Sequence, residues 1–442
     1  MMWLKQSFLP VRLGALALVF LLFAALPAQA VEIEQWETDE GLRVLYVEAP
    51  DLPMLDLRLT FDAGAARDGD DRGLAHLTSR GLRHGTGQMD ASELAERFEA
   101  VGAQFATDSL RDMAIVSLRS LTEPDWLDAA VDTLADLLAE PAFPQADFER
   151  SRRQALQSLQ RERQEPASVG SRRFYELMYG DHPYANWPRG EAESLERITP
   201  EQARAFYRSH YSAGNGVLAI TGGVDREAAE ALAARLSAAL PAGDAAEPLP
   251  PVPQREEPVT ERIDFPSEQA HIYMGAPALR RGDEAHFDLL LANHALGGGG
   301  FTSRLFQEVR SARGLAYSVH SRFQPMSVEG PFLINMQTAV SQADAATEVL
   351  REQVERWHRD GVEAEELEAS RENVVNSFPL SLASNSDIVG LLAMIGFYQL
   401  PPDYIERYIE HVEAVELDRM NTLLGERIDP GAMVTVIVGG QD

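Results

Sequence analysis

Two uninterrupted apolar runs, each rich in β-branched residues and each ending near paired glycines, lie far apart in the chain. They span residues 217–225 and 434–442. Runs of this length that are bounded by a glycine turn are typical of buried strands. The pattern therefore predicts a buried strand at the end of each half of the chain.

Apolar residues three or four positions apart predict that most of the remaining structure is helical. The predicted helices cover residues 91–101, 126–139, 144–165, 200–211, 343–359, 363–376 and 417–424. Alternation of apolar and polar residues instead predicts antiparallel strands at 112–121 and 330–338.

The opening of each half repeats one arrangement. A short strand that ends in glycine, at residues 57–64 and again at 271–275, leads into a charged turn and an amphipathic helix. Two histidines of the first half recur in the second at a common offset of 210 residues: His76 and His84 correspond to His286 and His294. Such a repeat indicates one supersecondary design used twice.

A proline-rich, acidic segment at residues 241–262 separates the two halves and shows neither helical nor strand periodicity. This composition predicts an extended linker. We therefore expect two homologous α+β domains, residues 31–240 and 263–442. Each should hold a mainly antiparallel sheet with helices on one face.

The first thirty residues differ from the rest of the chain. Lys5 and Arg12 precede an apolar run at residues 13–26, and a small-x-small triplet ends at Ala30. This order predicts a secretory signal peptide at residues 1–30 that is cleaved after Ala30. The alternative, a retained membrane anchor, requires a longer apolar run of about 20 residues. We therefore expect an exported, periplasmic protein with no membrane attachment after cleavage.

Composition excludes several function classes. The chain has no cysteine, so it has neither disulfides nor a thiolate for catalysis or zinc binding. Its formal net charge of -30 repels phosphate backbones, and nucleic acid is not an expected partner.

Residues 73–86 read Gly-Leu-Ala-His-Leu-Thr-Ser-Arg-Gly-Leu-Arg-His-Gly-Thr. The segment resembles the signature of the pitrilysin/insulinase family, whose active members carry Gly-x-Ala-His-x-x-Glu-His followed by Gly-Thr. In that inverted motif two histidines bind zinc from one helix face, and the glutamate activates the bound water. Here His76 matches the first ligand, but Ser79 replaces the glutamate and Arg80 replaces the second histidine. Since an arginine offers no lone pair to a metal, the resemblance implies a degenerate site that holds no metal.

The family's third zinc ligand is a glutamate on a later helix. Counting back from Glu165-Pro166 and the stretch at 179–184, which resemble family landmarks, places its equivalent near Gln157 or Ser158. No acidic residue lies between Ser151 and Arg161, so this ligand is missing as well. Active members also carry Gly-x-x-Asn-Ala before the strand that pairs with substrate, whereas this chain has Phe105 in place of the asparagine.

A second family element is intact. Residues 297–319 contain a glycine-rich loop, a Ser-Arg-Leu-Phe helix, and an arginine and a tyrosine seven residues apart, Arg310 and Tyr317. In the family these two side chains reach the zinc site of the opposing domain and hold the substrate. The resemblance also implies substrate contacts from the loop residues Gly298, Gly299, Gly300 and Phe301.

Some bacterial members divide these elements between two homologous chains, and this sequence resembles the chain without zinc. The resemblance implies a non-catalytic subunit with no cofactor of its own. The expected partner is a homologous subunit with an intact His-x-x-Glu-His and a bound zinc ion, to which Arg310 and Tyr317 are supplied, and the substrates are peptides. Two alternatives remain open: an inactive scaffold in a larger complex, and an autonomous zinc peptidase with unusual ligands.

Overall fold

The computed structural model describes residues 32–440, and the predicted signal peptide lies outside them. These residues form two mixed α/β halves that are built around separate sheets.

The first sheet has six strands in the order β1-β2-β6-β3-β5-β4. The β2 and β6 strands pair in parallel, and all other neighbours pair antiparallel. The strands are β1 (Glu34–Glu37), β2 (Arg43–Glu48), β3 (Met54–Phe61), β4 (Gln104–Ser109), β5 (Ala114–Leu121) and β6 (Gly216–Gly222). The strand β4 therefore forms one edge of the sheet.

The second sheet has five strands in the order β7-β11-β8-β10-β9, with β9 at one edge. Only the β7–β11 pair is parallel. The strands are β7 (Val259–Ile263), β8 (Gln269–Leu279), β9 (Ala316–Phe323), β10 (Gly330–Ala339) and β11 (Val434–Val438).

The helices follow the same division between the two halves. Those of the first half are α1 (Leu74–Gly81), α2 (Ala91–Ala100), α3 (Pro124–Ala139), α4 (Gln145–Glu162), α5 (Pro166–Tyr179), α6 (Ala192–Arg197), α7 (Pro200–His210) and α8 (Arg226–Ala239). Those of the second half are α9 (His286–Asn293), α10 (Ala343–Asp360), α11 (Ala364–Ser377), α12 (Asn385–Phe397), α13 (Tyr404–Glu413) and α14 (Leu417–Arg427).

The α+β fold class predicted from sequence is confirmed. All seven predicted helices occur, with ends within three residues of the predicted ones. Strands form within both apolar runs, as β6 and β11, and every residue of both strands is buried; positions 441 and 442 of the second run lie outside the described residues. Within residues 32–440 no single helix is long and apolar enough to cross a membrane; one bent pair, Ala364–Leu382 with Asn385–Phe397, reaches that composition only when taken together.

Each sheet is covered on its second face by a helix from the other half. The α5 helix packs on β8 and β11 of the second sheet, and α12 packs on β3 and β6 of the first. Glycines allow both approaches: a Cβ at Gly170 would lie 2.6 Å from the ring of Tyr273, and one at Gly396 would lie 2.4 Å from Val217. This exchange explains why β6 and β11 are buried throughout, because both faces of each strand are covered.

The segment between the halves is extended but packed. Residues 241–258 contain neither helix nor strand, yet Val252 is buried and the carbonyl of Pro250 lies 2.9 Å from His182 Nε2. The last predicted linker residues, from Val259 onward, are instead part of strand β7. They belong to the second sheet because their backbone pairs with β11.

Candidate functional site

The α1 helix places His76 in the wall of a cavity. The buried Asp68 fixes the start of this helix, because its carboxylate accepts hydrogen bonds from the backbone amides of Gly73 and Ala75, both 2.7 Å long. Burial raises the pKa of Asp68 to about 7, against the effect of those two amides. A Cβ at Gly190 would lie only 2.4 Å from Gly73 Cα, so the loop that carries Trp187 and Arg189 lies directly against the helix start.

The cavity has a volume of about 890 Å³. Its wall contains His76 and Arg80 from α1, together with Gln157 and Ser158 from α4. The positions that resemble the three zinc ligands of active family members therefore lie around this one cavity. Ser79, at the position of the family's general base, is 2% exposed and does not line this cavity.

The residues around this cavity do not fit a zinc ion. Zinc sites are built from three or four side chains of His, Cys, Asp or Glu. Among residues 32–440, no group of three such side chains is placed to hold a metal. Arg80 projects toward α4 and donates a 2.6 Å hydrogen bond to Gln154 Oε1, so a cation occupies the second-ligand position.

His76 is a neutral side chain in a cationic setting. Burial, together with the nearby charges of Arg80 and Arg189, lowers the pKa of His76 to about 4. At neutral pH this imidazole therefore carries no charge.

The second histidine of each repeated pair has a structural role. His84 Nε2 lies 2.8 Å from Ser151 Oγ of α4, and His294 Nδ1 lies 3.0 Å from Ser370 Oγ of α11. The same His–Ser contact thus recurs at equivalent places in the two halves. The first histidine is repeated too, since His286 lines a separate cavity of about 620 Å³ in the second half.

We expect acidification from pH 6.5 to about 4 to destabilise the fold through its buried histidines. Burial is the largest cause that lowers the pKa of His76, His84 and His286, each from 6.5 to about 4. In this window the unfolded chain binds protons that the folded chain does not. The contribution of these histidines to the free energy of unfolding is therefore complete above pH 6.5 and is lost toward pH 4. Thermal unfolding between pH 7 and 4 measures this loss. The stability of the His84→Gln variant should fall less steeply with decreasing pH than that of the wild type. Equal slopes for the two proteins would contradict the assignment.

Arg310 and Tyr317 lie beside each other at the surface of the second half. Arg310 belongs to a π-helical turn, Phe306–Ser311, and Tyr317 is the second residue of β9. The Arg310 guanidinium carbon is 4.7 Å from the ring centre of Phe306 and 4.8 Å from that of Tyr317. Two aromatic faces therefore hold this cation, an arrangement that stabilises arginine without neutralising its charge.

The Arg310–Tyr317 pair reaches the surface through Tyr317, while Arg310 itself is half-buried. Tyr317 is 83% exposed, and no ion pair within residues 32–440 involves Arg310. Neighbouring arginines do have acidic partners, since Arg304 pairs with Glu366 and Arg313 with Glu308. Arg310 thus keeps hydrogen-bond donors available for another molecule.

The glycine-rich loop forms the surface next to this pair. Gly300 has a φ of +62°, which favours glycine, and a Cβ at Gly298 would lie 2.8 Å from Asn293 Nδ2. Gly299 is equally confined, because a Cβ at this position would lie 2.7 Å from the His294 ring. Phe301 follows with 73% of its surface exposed. The glycines allow the chain to turn tightly and present Phe301 outward.

The Arg310–Tyr317 pair and the His76 cavity are separate places in this chain. Neither Arg310 nor Tyr317 lines the cavity; the lining residue nearest to them along the chain is Gln324, which directly follows β9. Tyr317 and Gln324 are seven positions apart, which is roughly 23 Å at about 3.3 Å per residue in a strand. Phe105, the residue at the family's asparagine position, stacks on Phe98 at 5.1 Å and so has a packing role.

Comparison with known proteins identifies the family. Residues 43–188 match the family model described as Insulinase (Peptidase family M16), and residues 197–374 match the one described as Peptidase M16 inactive domain. A solved structure of a peptidase M16 inactive domain from Pseudomonas fluorescens is 36% identical, with a TM-score of 0.90 over 93% of this chain and 98% of that one. The chain belongs to peptidase family M16, the insulinase or pitrilysin family, and is of its inactive, subunit-like type.

More distant relatives extend over nearly the same length. The uncharacterized zinc protease YmxG of Bacillus subtilis is 24% identical over 88% of this chain and 94% of its own. An uncharacterized zinc protease of Rickettsia felis is 26% identical over 91% and 96%, respectively. A protease from Helicobacter pylori has the same fold, with a TM-score of 0.83 at 17% identity.

Proposed function

We propose that this chain is the non-catalytic, substrate-binding subunit of a heteromeric periplasmic zinc peptidase. A homologous partner with an intact His-x-x-Glu-His supplies the zinc ion and the general base, and this chain supplies Arg310 and Tyr317. The observation that carries the proposal is the contrast between the two sites. Ser79 and Arg80 stand at the positions of the general base and the second zinc ligand, whereas the half-buried Arg310 lies beside the exposed Tyr317 and has no acidic partner among the described residues.

The chemistry of the pair suits this role. A guanidinium donates two parallel hydrogen bonds to a carboxylate or donates to a single carbonyl oxygen, and a phenol donates one to an oxygen that gains negative charge. Such donors accelerate acyl transfer only when they reach the reacting carbonyl. Since Arg310 and Tyr317 lie away from this chain's own degenerate site, the reacting carbonyl belongs to the partner's site in this proposal.

Peptide binding by strand addition is the second part of the proposal. The strand β4 is an edge strand, and its residues alternate between exposed and partly buried. The strand β9, which carries Tyr317, is the edge of the second sheet. Edge strands bind extended peptides mainly through backbone hydrogen bonds, so unfolded or short peptides are the proposed substrates.

Purified by itself, the mature chain is expected to hold no zinc after dialysis and to cleave no peptide, because only His76 remains of the expected ligands. Mixing it with a family member that has an intact His-x-x-Glu-His from the same genome should produce chelator-sensitive cleavage that neither chain shows alone. Metal analysis and a quenched-peptide assay measure the two properties. One tightly held zinc per isolated chain would contradict the proposal and favour an autonomous peptidase. A stable mixture without cleavage would favour the scaffold alternative.

A further inference from the structure

The cavity at the degenerate metal site concentrates positive charge in a strongly acidic protein. Its wall contains four arginines: Arg80, Arg111, Arg161 and Arg189. Among the described residues of that wall Asp108 is the only acidic one, and Glu162, which is not part of the wall, pairs with Arg189. With His76 neutral, the local charge is about +2, whereas the chain as a whole carries -30. This local excess of cations favours anionic ligands.

Arg111 is the most informative member of this cluster. It is 7% exposed, donates one 2.6 Å hydrogen bond to the carbonyl of Asn186, and stacks 3.9 Å above the Tyr175 ring. No described carboxylate forms an ion pair with it. A guanidinium has five N–H donors, and a buried charge normally pairs with an opposite charge. Arg111 therefore lacks a counter-ion on the side where it meets the cavity.

Two more arginines in the wall also lack an acidic partner among the described residues. Arg80 donates to the neutral Gln154, and the nearest acceptor to Arg161 is Ser158 Oγ at 3.5 Å. The three unpaired cations come from α1, from the turn after β4, and from α4. All three line the same cavity as the positions that correspond to the family's zinc ligands.

We propose that this cavity binds a carboxylate carried by an extended peptide, so that the former metal site has become a carboxylate-binding subsite. The volume of about 890 Å³ accepts several peptide residues rather than a single small anion. The wall also contains Trp187, which offers an apolar face to side chains.

The edge strand β4 connects this cavity to a peptide. Asp108 and Ser109, its last two residues, line the cavity together with Leu110. A peptide added along β4 therefore runs directly to the arginines. Three arginines bind a carboxylate at the end of such a peptide through charge-assisted hydrogen bonds. This binding mode rests on the strand addition proposed above for β4, but it needs no partner subunit.

The test is fluorescence polarisation with the purified mature chain and three labelled hexapeptides of one neutral sequence. The first peptide has a free C-terminal carboxylate, the second is amidated, and the third is amidated but carries one glutamate. We expect the free or the glutamate-bearing peptide to bind at least about tenfold more tightly than the neutral amidated one. Whichever of the two binds identifies the source of the carboxylate. Equal affinity for all three would overturn the proposal.

Variants locate the binding. Arg80→Gln and Arg161→Gln should each weaken binding of the carboxylate peptide about tenfold, with little effect on the amidated one. Arg153→Gln is the matched control, because Arg153 is exposed on α4 but does not line the cavity. An equal loss in the control, or competition by inorganic phosphate as strong as that by the peptide, would overturn the assignment. These variants leave Arg310 and Tyr317 intact, so peptide binding and cleavage with a partner are separate measurements. If the wild-type chain binds the carboxylate peptide but gives no cleavage when mixed with a zinc-bearing partner, only the proposed function is rejected.

Discussion

Replacing Arg310 by alanine should lower peptide cleavage by the reconstituted pair of subunits by about 10² to 10³-fold, because one donor to the developing negative charge is lost. Tyr317→Phe should have an effect of the same order, since it removes only the phenolic hydroxyl. Assembly should be unchanged in both variants. The measurements are the cleavage rate of mixed subunits and, separately, complex formation by gel filtration.

The surroundings of Arg310 supply its controls. Arg313→Ala removes a nearby arginine that already pairs with Glu308, so it should leave cleavage close to the wild-type rate. Arg310→Lys should restore little activity, because an ammonium group reproduces neither the planar pair of donors nor the stacking between Phe306 and Tyr317. Near-normal cleavage by both Arg310→Ala and Tyr317→Phe would require withdrawal of their assigned roles and would leave the scaffold alternative.

Local patterns in the sequence predicted the individual elements well. The pattern of two elements matches their environment. The helix at residues 343–359 is amphipathic, and the strand at residues 434–438 is continuously apolar and wholly buried. Periodicity shows which face of an element is buried, and the burial of these two elements depends on the structure packed directly against them. The repeat of His84 and His294 was also visible, because the same contact to a serine is conserved in both halves of the fold.

The exchanged helices were not predicted from sequence. The α12 helix is apolar on most of its surface and contains Gly390 and Gly396, so it lacks the polar face that identifies a surface helix. Glycine also lowers helix propensity. In the structure those glycines meet Arg58 and Val217 of the first sheet. These glycines allow close contact between the two halves, and local periodicity carries no information about such a contact.

The arginine cluster was only half visible in the sequence. Arg80 was identified because it replaces a ligand in a recognisable motif, and Gln157 and Ser158 were identified by counting along α4. Arg111 and Arg189 were missed, since they come from a turn after β4 and from a loop that packs on Gly73. Only the folded arrangement brings these positions together, and no sequence spacing signals it.

Restoring the lost ligands should convert the cavity from a site without zinc to one that holds about one zinc ion per chain. The change combines Arg80→His with either Gln157→Glu or Ser158→Glu. Position 80 lies four residues after His76 on α1, so both imidazoles would share one helix face, and both α4 positions line the same cavity. Metal content after dialysis measures the result. Arg83→His, in place of Arg80→His, is the control, because Arg83 does not line the cavity.

Adding Ser79→Glu to the restored ligands separates metal binding from catalysis. Ser79 is 2% exposed, so a carboxylate there must be buried, and we expect this addition to reduce stability by about 1–3 kcal/mol. Full peptidase activity is not expected even with zinc bound, because the groups that orient ligands in active members must also be present. Bound zinc would show that α1 and α4 hold these positions in a geometry that binds zinc. Folded variants that bind none would show that the correspondence of Arg80, Gln157 and Ser158 to zinc ligands is wrong.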